Sequence, residues 1–228
     1  TRSRGFGKPV KILDISPLIN SDLAVFPGDT PFERQIAMSF SNGDHLELSS
    51  ISGTLHLGAH ADSSGHYHAK GEGIEKRDIQ VYLGKCQVIQ VPLRPGERIS
   101  TKDIAEIEIK APRILFRTES FPNPYKWNED FMSLSPELIE ALGAKACVLV
   151  GIDTPSIDPA NSKDLESHQA IFKTKMAVLE GLVLDQVSPG LYDLIALPLA
   201  IEGADASPVR AVLLDLSFSE EAFGKSRR

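Results

Sequence analysis

Little in this chain would mark it for a membrane, a nucleic acid or an oxidising compartment. There are two cysteines, Cys86 and Cys147, in 228 residues. Each sits in an apolar, strand-like run, which excludes a disulfide framework and a zinc-ribbon pair. Buried free thiols in a reducing cytosol are the expectation, and with them a cytoplasmic location. Positive charge is scarce: 24 Lys and Arg stand against 31 Asp and Glu, for a net charge of −7. That leaves no basic footprint for nucleic acid and no attraction to anionic membrane surfaces. No apolar run reaches the roughly 18 residues of a membrane span. Residues 1–8 are basic, but no apolar signal core follows them. Because the chain opens on Thr1, a trimmed leading segment is expected. There is no G-x-S-x-G elbow and no phosphate-binding glycine loop; Gly71-Glu72-Gly73 lacks the third glycine and the preceding strand. Repeats, low-complexity tracts and linkers are absent too. Residues 1–228 therefore read as one domain, with residues 1–9 and 219–228 loose.

What the chain has is histidine in one place. Four of its six histidines, His56, His60, His66 and His68, fall in residues 55–68, L-H-L-G-A-H-A-D-S-S-G-H-Y-H. Leu55, Leu57, Ala59 and Ala61 alternate with His56, His60 and Asp62, the parity of a strand with one core face and one polar face. A helix fits worse, because Asp62 would sit well round the cylinder and Gly58 would weaken it. A straight strand would hold His56 and His60 about 13 Å apart, too far to share an ion. A bend at Gly58 is therefore expected. Ser63-Ser64-Gly65 reads as a turn that brings His66 back.

The rest of the chain mixes strands and helices without a strict βαβ rhythm, which indicates one α/β domain. Strands are expected at 10–15, 85–91, 113–117, 146–152, 191–201 and 209–216, and one or two across 46–61. The run 146–152 is apolar throughout and reads as a central strand. A short helix is expected at 100–107, with Ser100 as N-cap and Asp103 as the capping-box acid. Ser135-Pro136-Glu137 opens a second helix, closed by Gly143. A third spans 162–175. Residues 25–31, V-F-P-G-D-T-P, form a rigid loop. The aromatic stretch 121–131 is expected to pack on the core.

Two later residues stand out. His168 falls on the inward face of the third helix, beside Leu165 and Phe172. Glu180 lies in M-A-V-L-E-G-L-V-L, where a carboxylate must be paired or metal-bound. With His56, His60 and Asp62 they form a mixed N/O set that suits Zn²⁺, and less strongly Mn²⁺. Two carboxylates among five groups fit a two-metal site. His66 is then spare beside the metals, where a general acid and base belongs. His68 has no assigned role.

The motif H-x-G-A-H-x-D followed by His66 resembles the signature of the cyclase family of metal-dependent amidohydrolases. Within it the resemblance narrows to the bacterial kynurenine formamidases (arylformamidases). P-G-D-T-P at 27–31, Y-L-G-K-C at 82–86, G-I-D-T-P-S-I-D-P at 151–159 and D-A-S-P-V-R-A-V-L at 205–213 carry it. The resemblance implies a single α/β domain built on a mixed, barrel-like sheet with flanking helices, as a homodimer. It also implies a binuclear zinc centre. His56, His60 and Asp62 would hold one ion, and Asp62, His168 and Glu180 the other. His66 would move protons, and the reaction would be hydrolysis of N-formyl-L-kynurenine, a small aryl formamide of tryptophan breakdown. Phe26 stands where these enzymes carry a tryptophan against the substrate, and it can still stack on an aryl ring. Ser63-Ser64-Gly65 replaces a proline-containing turn. A cyclic amide such as isatin is the alternative substrate. A metal-containing binding protein without catalysis is the alternative of another class.

Overall fold

The computed structural model describes residues 11–215. The ends expected to be loose, residues 1–9 and 219–228, lie outside the described residues. Thirteen strands are described: β1 (Lys11–Asp14), β2 (Glu33–Met38), β3 (Leu48–Ser52), β4 (His60–Asp62), β5 (Leu83–Gln90), β6 (Arg98–Ile99), β7 (Arg113–Arg117), β8 (Ser133–Leu134), β9 (Leu149–Ile152), β10 (Ala177–Glu180), β11 (Gly190–Ile195), β12 (Ala206–Pro208) and β13 (Val212–Asp215). The α-helices are α1 (Ser64–Tyr67), α2 (Pro136–Ala144) and α3 (Glu166–Thr174).

Nine strands make one mixed sheet, in the order β1-β13-β11-β5-β7-β9-β10-β4-β12. The centre, β5-β7-β9-β10, is parallel, and the flanks are antiparallel. This is the α/β, half-barrel single domain that the sequence implied. The central strands are apolar on both faces because each face has its own cover. Leu115, Leu149, Ala177 and Leu179 enter one core. Ile114, Phe116, Val150, Ile152 and Val178 enter a second, together with Leu138, Ile139 and Leu142 of α2 and Ile171 of α3. Both cysteines are buried and free. Burial pushes the Cys86 thiol up to about 12, so it stays protonated and inert.

Several local expectations hold and several shift. The Ser135 side chain accepts from the backbone N–H of Leu138, and Pro136 starts α2. Gly143 does not close that helix, which runs on to Ala144. A Cβ on Gly143 would lie 2.8 Å from Thr174 Cγ2, so the glycine is there to let α2 approach α3. The stop comes at Ala146, in the left-handed region at φ 61. The capping box forms, with the Ser100 backbone N–H donating to Asp103 Oδ2 at 2.7 Å, but the element is a 3₁₀ turn over Thr101–Ile104. The third helix begins later than expected because Leu165 takes a left-handed φ of 47. The late strand expected over 191–201 ends at Ile195; Pro198 and Gly203 lie in the irregular stretch that follows. β2 was not foreseen. Among the described residues it pairs only with β3, as a hairpin apart from the main sheet. It is an exposed ribbon, open to solvent on both faces, and Ile36 and Ile51 are 55% and 72% exposed.

Candidate metal centre

Sheet register assembles the middle of the site. His60 and Asp62 are two residues apart on β4, so they share a face. Glu180 of β10 is the cross-strand partner of His60, and directly opposed residues also share a face. Ala61 and its partner Leu179 point the other way, into the first core. α3 then lowers His168 onto the polar face, where it is 1% exposed.

His56 arrives differently from the sequence expectation. The strand does not extend back through it: residues 53–59 are irregular, and β4 starts only at His60. Gly58 supplies the expected bend, at φ +60, with Pro17 Cγ 3.0 Å from where a Cβ would stand. The bend brings the His56 and His60 rings to 5.0 Å, centroid to centroid. The Ser63-Ser64-Gly65 turn is also replaced. Ser63 is the N-cap of α1, and His66 sits on that short helix.

Five side chains separated by as much as half of the chain thus converge. His60 Nε2 lies 3.4 Å from Asp62 Oδ1 and 3.3 Å from Glu180 Oε2. His168 Nε2 lies 3.3 Å from Asp62 Oδ2 and 3.3 Å from Glu180 Oε1. Each carboxylate turns one oxygen to each imidazole. His56 Nδ1 adds a further contact, 3.0 Å from Asp62 Oδ1.

Each of the three imidazoles also has an acceptor on its far side. His60 Nδ1 donates to the Gly58 carbonyl at 2.8 Å. His168 Nδ1 donates to Asp158 Oδ2 at 2.8 Å, and Arg98 Nη1 in turn donates to Asp158 Oδ1 at 3.1 Å. His56 Nε2 donates to Asp205 Oδ2 at 3.0 Å. The inner nitrogens are thereby left as lone-pair donors, the arrangement that metal-ligating histidines usually show.

These residues fit a divalent ion. Donor atoms about 2.1 Å from a tetrahedral ion lie about 3.4 Å apart, and the four cross-contacts are 3.3–3.4 Å. Two buried atoms at the centre, His60 Nε2 and Asp62 Oδ1, have no hydrogen-bond partner; the 3.0 Å contact to His56 is close but not aligned as a hydrogen bond. Buried polar atoms are rarely left so. His60, Asp62 and Glu180 form one group able to hold an ion, and His56, Asp62 and His66 a second. Without an ion the cluster must balance its own charge. Burial disfavours a charged Asp62, yet the imidazoles of His168, His56 and His60 hold its carboxyl well below the usual range. Burial likewise disfavours protonating His56, but Asp62 and Asp205 outweigh it and raise His56 to about 9. Burial is the largest influence on His66 and lowers it, which favours the neutral ring.

The centre forms the floor of a cavity of about 770 Å³. His66 lies at its wall, its ring 4.2 Å from that of His56 and its side chain 34% exposed. Phe26 lines the cavity, as do Phe121 and Trp127. The Phe26 and Trp127 rings meet edge to face at 4.9 Å. The aromatic stretch is therefore split: Phe131 is buried in the interior, while Phe121 and Trp127 face the cavity. His68 takes no part and stacks on Phe172 at 3.6 Å. Sequence reasoning missed Asp158 and Asp205 as partners of the histidines, although both stand in the stretches that carried the family resemblance.

Comparison with known proteins agrees with this geometry. A family model described as "Putative cyclase" matches residues 13–159. The chain belongs to the cyclase family. It is 44% identical to a kynurenine formamidase of Bordetella pertussis, across 91% of this chain and 99% of that enzyme. The fold matches a structure described as a "predicted metal-dependent hydrolase" from Bacillus stearothermophilus, with TM-score 0.78 and 24% identity over 91% of this chain and 99% of that one. It also matches isatin hydrolase A from Labrenzia aggregata, with TM-score 0.77 and 19% identity over 90% and 93%. Among the described residues no helix is long and apolar enough to cross a membrane.

Proposed function

We propose that the chain is a metal-dependent amidohydrolase that converts N-formyl-L-kynurenine and water to L-kynurenine and formate. The observation that carries the chemistry is the crossed pair of carboxylates, each offering one oxygen to His60 and one to His168. In this reading His56, His60 and Asp62 would hold one ion and Asp62, His168 and Glu180 the other. Zinc suits the donor set, and manganese is the alternative. When bound, the ions supply Lewis-acid polarisation of the formyl carbonyl and a water acidic enough to react near neutral pH.

The chain's own residues do the rest. His66, neutral and at the cavity wall, carries the proton that water loses to the departing aryl nitrogen, so that the C–N bond breaks to an amine rather than an anion. Phe26, with Phe121 and Trp127 beside it, holds the aryl ring. The match of 44% identity over nearly the whole of a kynurenine formamidase supports the formamide over a cyclic amide, since the isatin hydrolase match is at 19%. A homodimer fits the same reading. The β2–β3 hairpin exposes Ile36, Leu48 and Ile51, and a lone two-stranded ribbon is marginal in water without cover.

The test is to prepare the chain with defined metal content and follow loss of N-formylkynurenine beside isatin and simple formamides. Turnover of the formamide is expected to exceed that of the others. A metal-loaded chain that leaves N-formylkynurenine intact would remove this substrate.

A further inference from the structure

The three imidazoles at the centre are not braced alike. His60 is fixed by a backbone carbonyl within its own bend. His168 is fixed by Asp158, itself 0% exposed and held by Arg98 and by the backbone N–H groups of Ser167 and His168. His56 alone relies on a carboxylate at the cavity wall. The Asp205 side chain is 51% exposed, and it lines the cavity.

We propose that Asp205 is the positioning residue of the open half of the site, setting His56 as a metal ligand and placing His66 beside it. Three contacts meet at this one residue. Its Oδ2 accepts from His56 Nε2 at 3.0 Å. The same oxygen is 3.9 Å from His66 Nδ1. Its backbone carbonyl accepts from the N–H of Ser63, the N-cap of the helix that carries His66, at 2.9 Å. Asp205 therefore ties the irregular segment bearing His56 to the helix bearing His66, immediately before β12 locks against β4 through Ala206 and Asp62. A bond from the outer nitrogen of His56 fixes which nitrogen faces inward and how the ring is turned, and such partners typically govern metal affinity about 10–100-fold. Half-exposed and outside both cores, the carboxylate has little part in holding the fold together.

The inference takes from the functional reading only that His56 is a metal ligand, and its test does not depend on the substrate. Metal-free parent, Asp205→Ala and Asp205→Asn chains are titrated with Zn²⁺ against a chromophoric chelator. Asp205→Ala is expected to bind zinc about 10–100-fold more weakly in its weaker phase. Asp205→Asn should recover most of that loss, because an amide oxygen accepts the same hydrogen bond. Thermal unfolding of the metal-free chains, compared above pH 9 where His56 is neutral, should coincide, which separates positioning from a structural role. In turnover, Asp205→Ala should lower kcat with little change in KM, because the residue does not touch the aryl ring. Parent-like zinc affinity in Asp205→Ala overturns the proposal, as does an Asp205→Asn chain no better than Asp205→Ala. If the parent fails to hydrolyse N-formylkynurenine while the zinc series behaves as stated, the substrate is wrong and the role of Asp205 stands.

Discussion

The two halves of the metal centre are built by different means. The inner half, His60, Asp62, Glu180 and His168, is locked by strand register and by a helix packed on the second core, and each of its residues is at most 3% exposed. The outer half, His56, His66 and Asp205, hangs on an irregular segment, a four-residue helix and the entry to an edge strand. The difference separates two jobs. Holding charged ions needs ligands that cannot relax, and the sheet provides that. Moving a proton to a substrate needs a group free to reach into the cavity, and His66, with its side chain 34% exposed at the cavity wall, is such a group.

Breaking the inner half should have the largest effect. Glu180→Ala removes an oxygen from both imidazoles at once, and several kcal/mol of lost transition-state stabilisation amounts to about a 10³-fold fall in turnover. Metal analysis of the purified variant should show the ions depleted; a Glu180→Ala chain with full metal content and normal turnover would contradict the shared-carboxylate arrangement. Removing the proton carrier of the outer half, His66, should spare the metal. His66→Ala is expected to lose about 10²–10⁴-fold in kcat while keeping parent metal content. If both fell together, the division between the halves would be wrong.

A smaller effect sharpens the comparison at the cavity wall. Trp127→Ala removes the ring that meets Phe26 edge to face, and should raise KM about 3–10-fold with kcat nearly unchanged. Equal KM values in steady-state kinetics would take Trp127 out of substrate binding.

The smallest effect is a protonic one. His56 is raised to about 9 in the metal-free chain, chiefly because Asp62 and Asp205 outweigh the cost of burial. Its protonated form therefore stabilises the metal-free chain fully below the unfolded value near 6.5, and that contribution is lost as pH rises through about 9. A ligand must shed this proton, so zinc uptake near pH 7 should release it, and uptake above pH 9 should not. Calorimetry at pH 7 in two buffers of different ionisation enthalpy reads the difference; identical heats would place the His56 proton elsewhere.

How legible the site was follows from the same division. Alternation along 55–62 put His60 and Asp62 on one face, and an apolar neighbourhood singled out Glu180. Helical spacing turned His168 inward. These are local patterns that the sheet and α3 preserve. His56 shared the alternation but not the strand, because Gly58 bends the chain just before β4 begins. Asp158 and Asp205 stood in stretches that carried the family resemblance, beside Pro159 and within G-A-D-A-S-P, but nothing local marked either as the partner of a histidine. Their partners lie 10 and 149 positions away, so no window on the sequence pairs them. Trp127 and Phe121 carried a hydrophobic signal that does not distinguish a core from a pocket wall. β2 was missed for a related reason: its residues face solvent on both sides, so burial leaves no mark on it.

Counting ions is the most direct test of the account. Equilibrium dialysis of the metal-free chain against zinc, followed by elemental analysis, should give two ions per chain. Replacing His168 with alanine should remove one of them before the other. A parent chain that saturates with a single ion would contradict the bridged pair on which the chemistry rests.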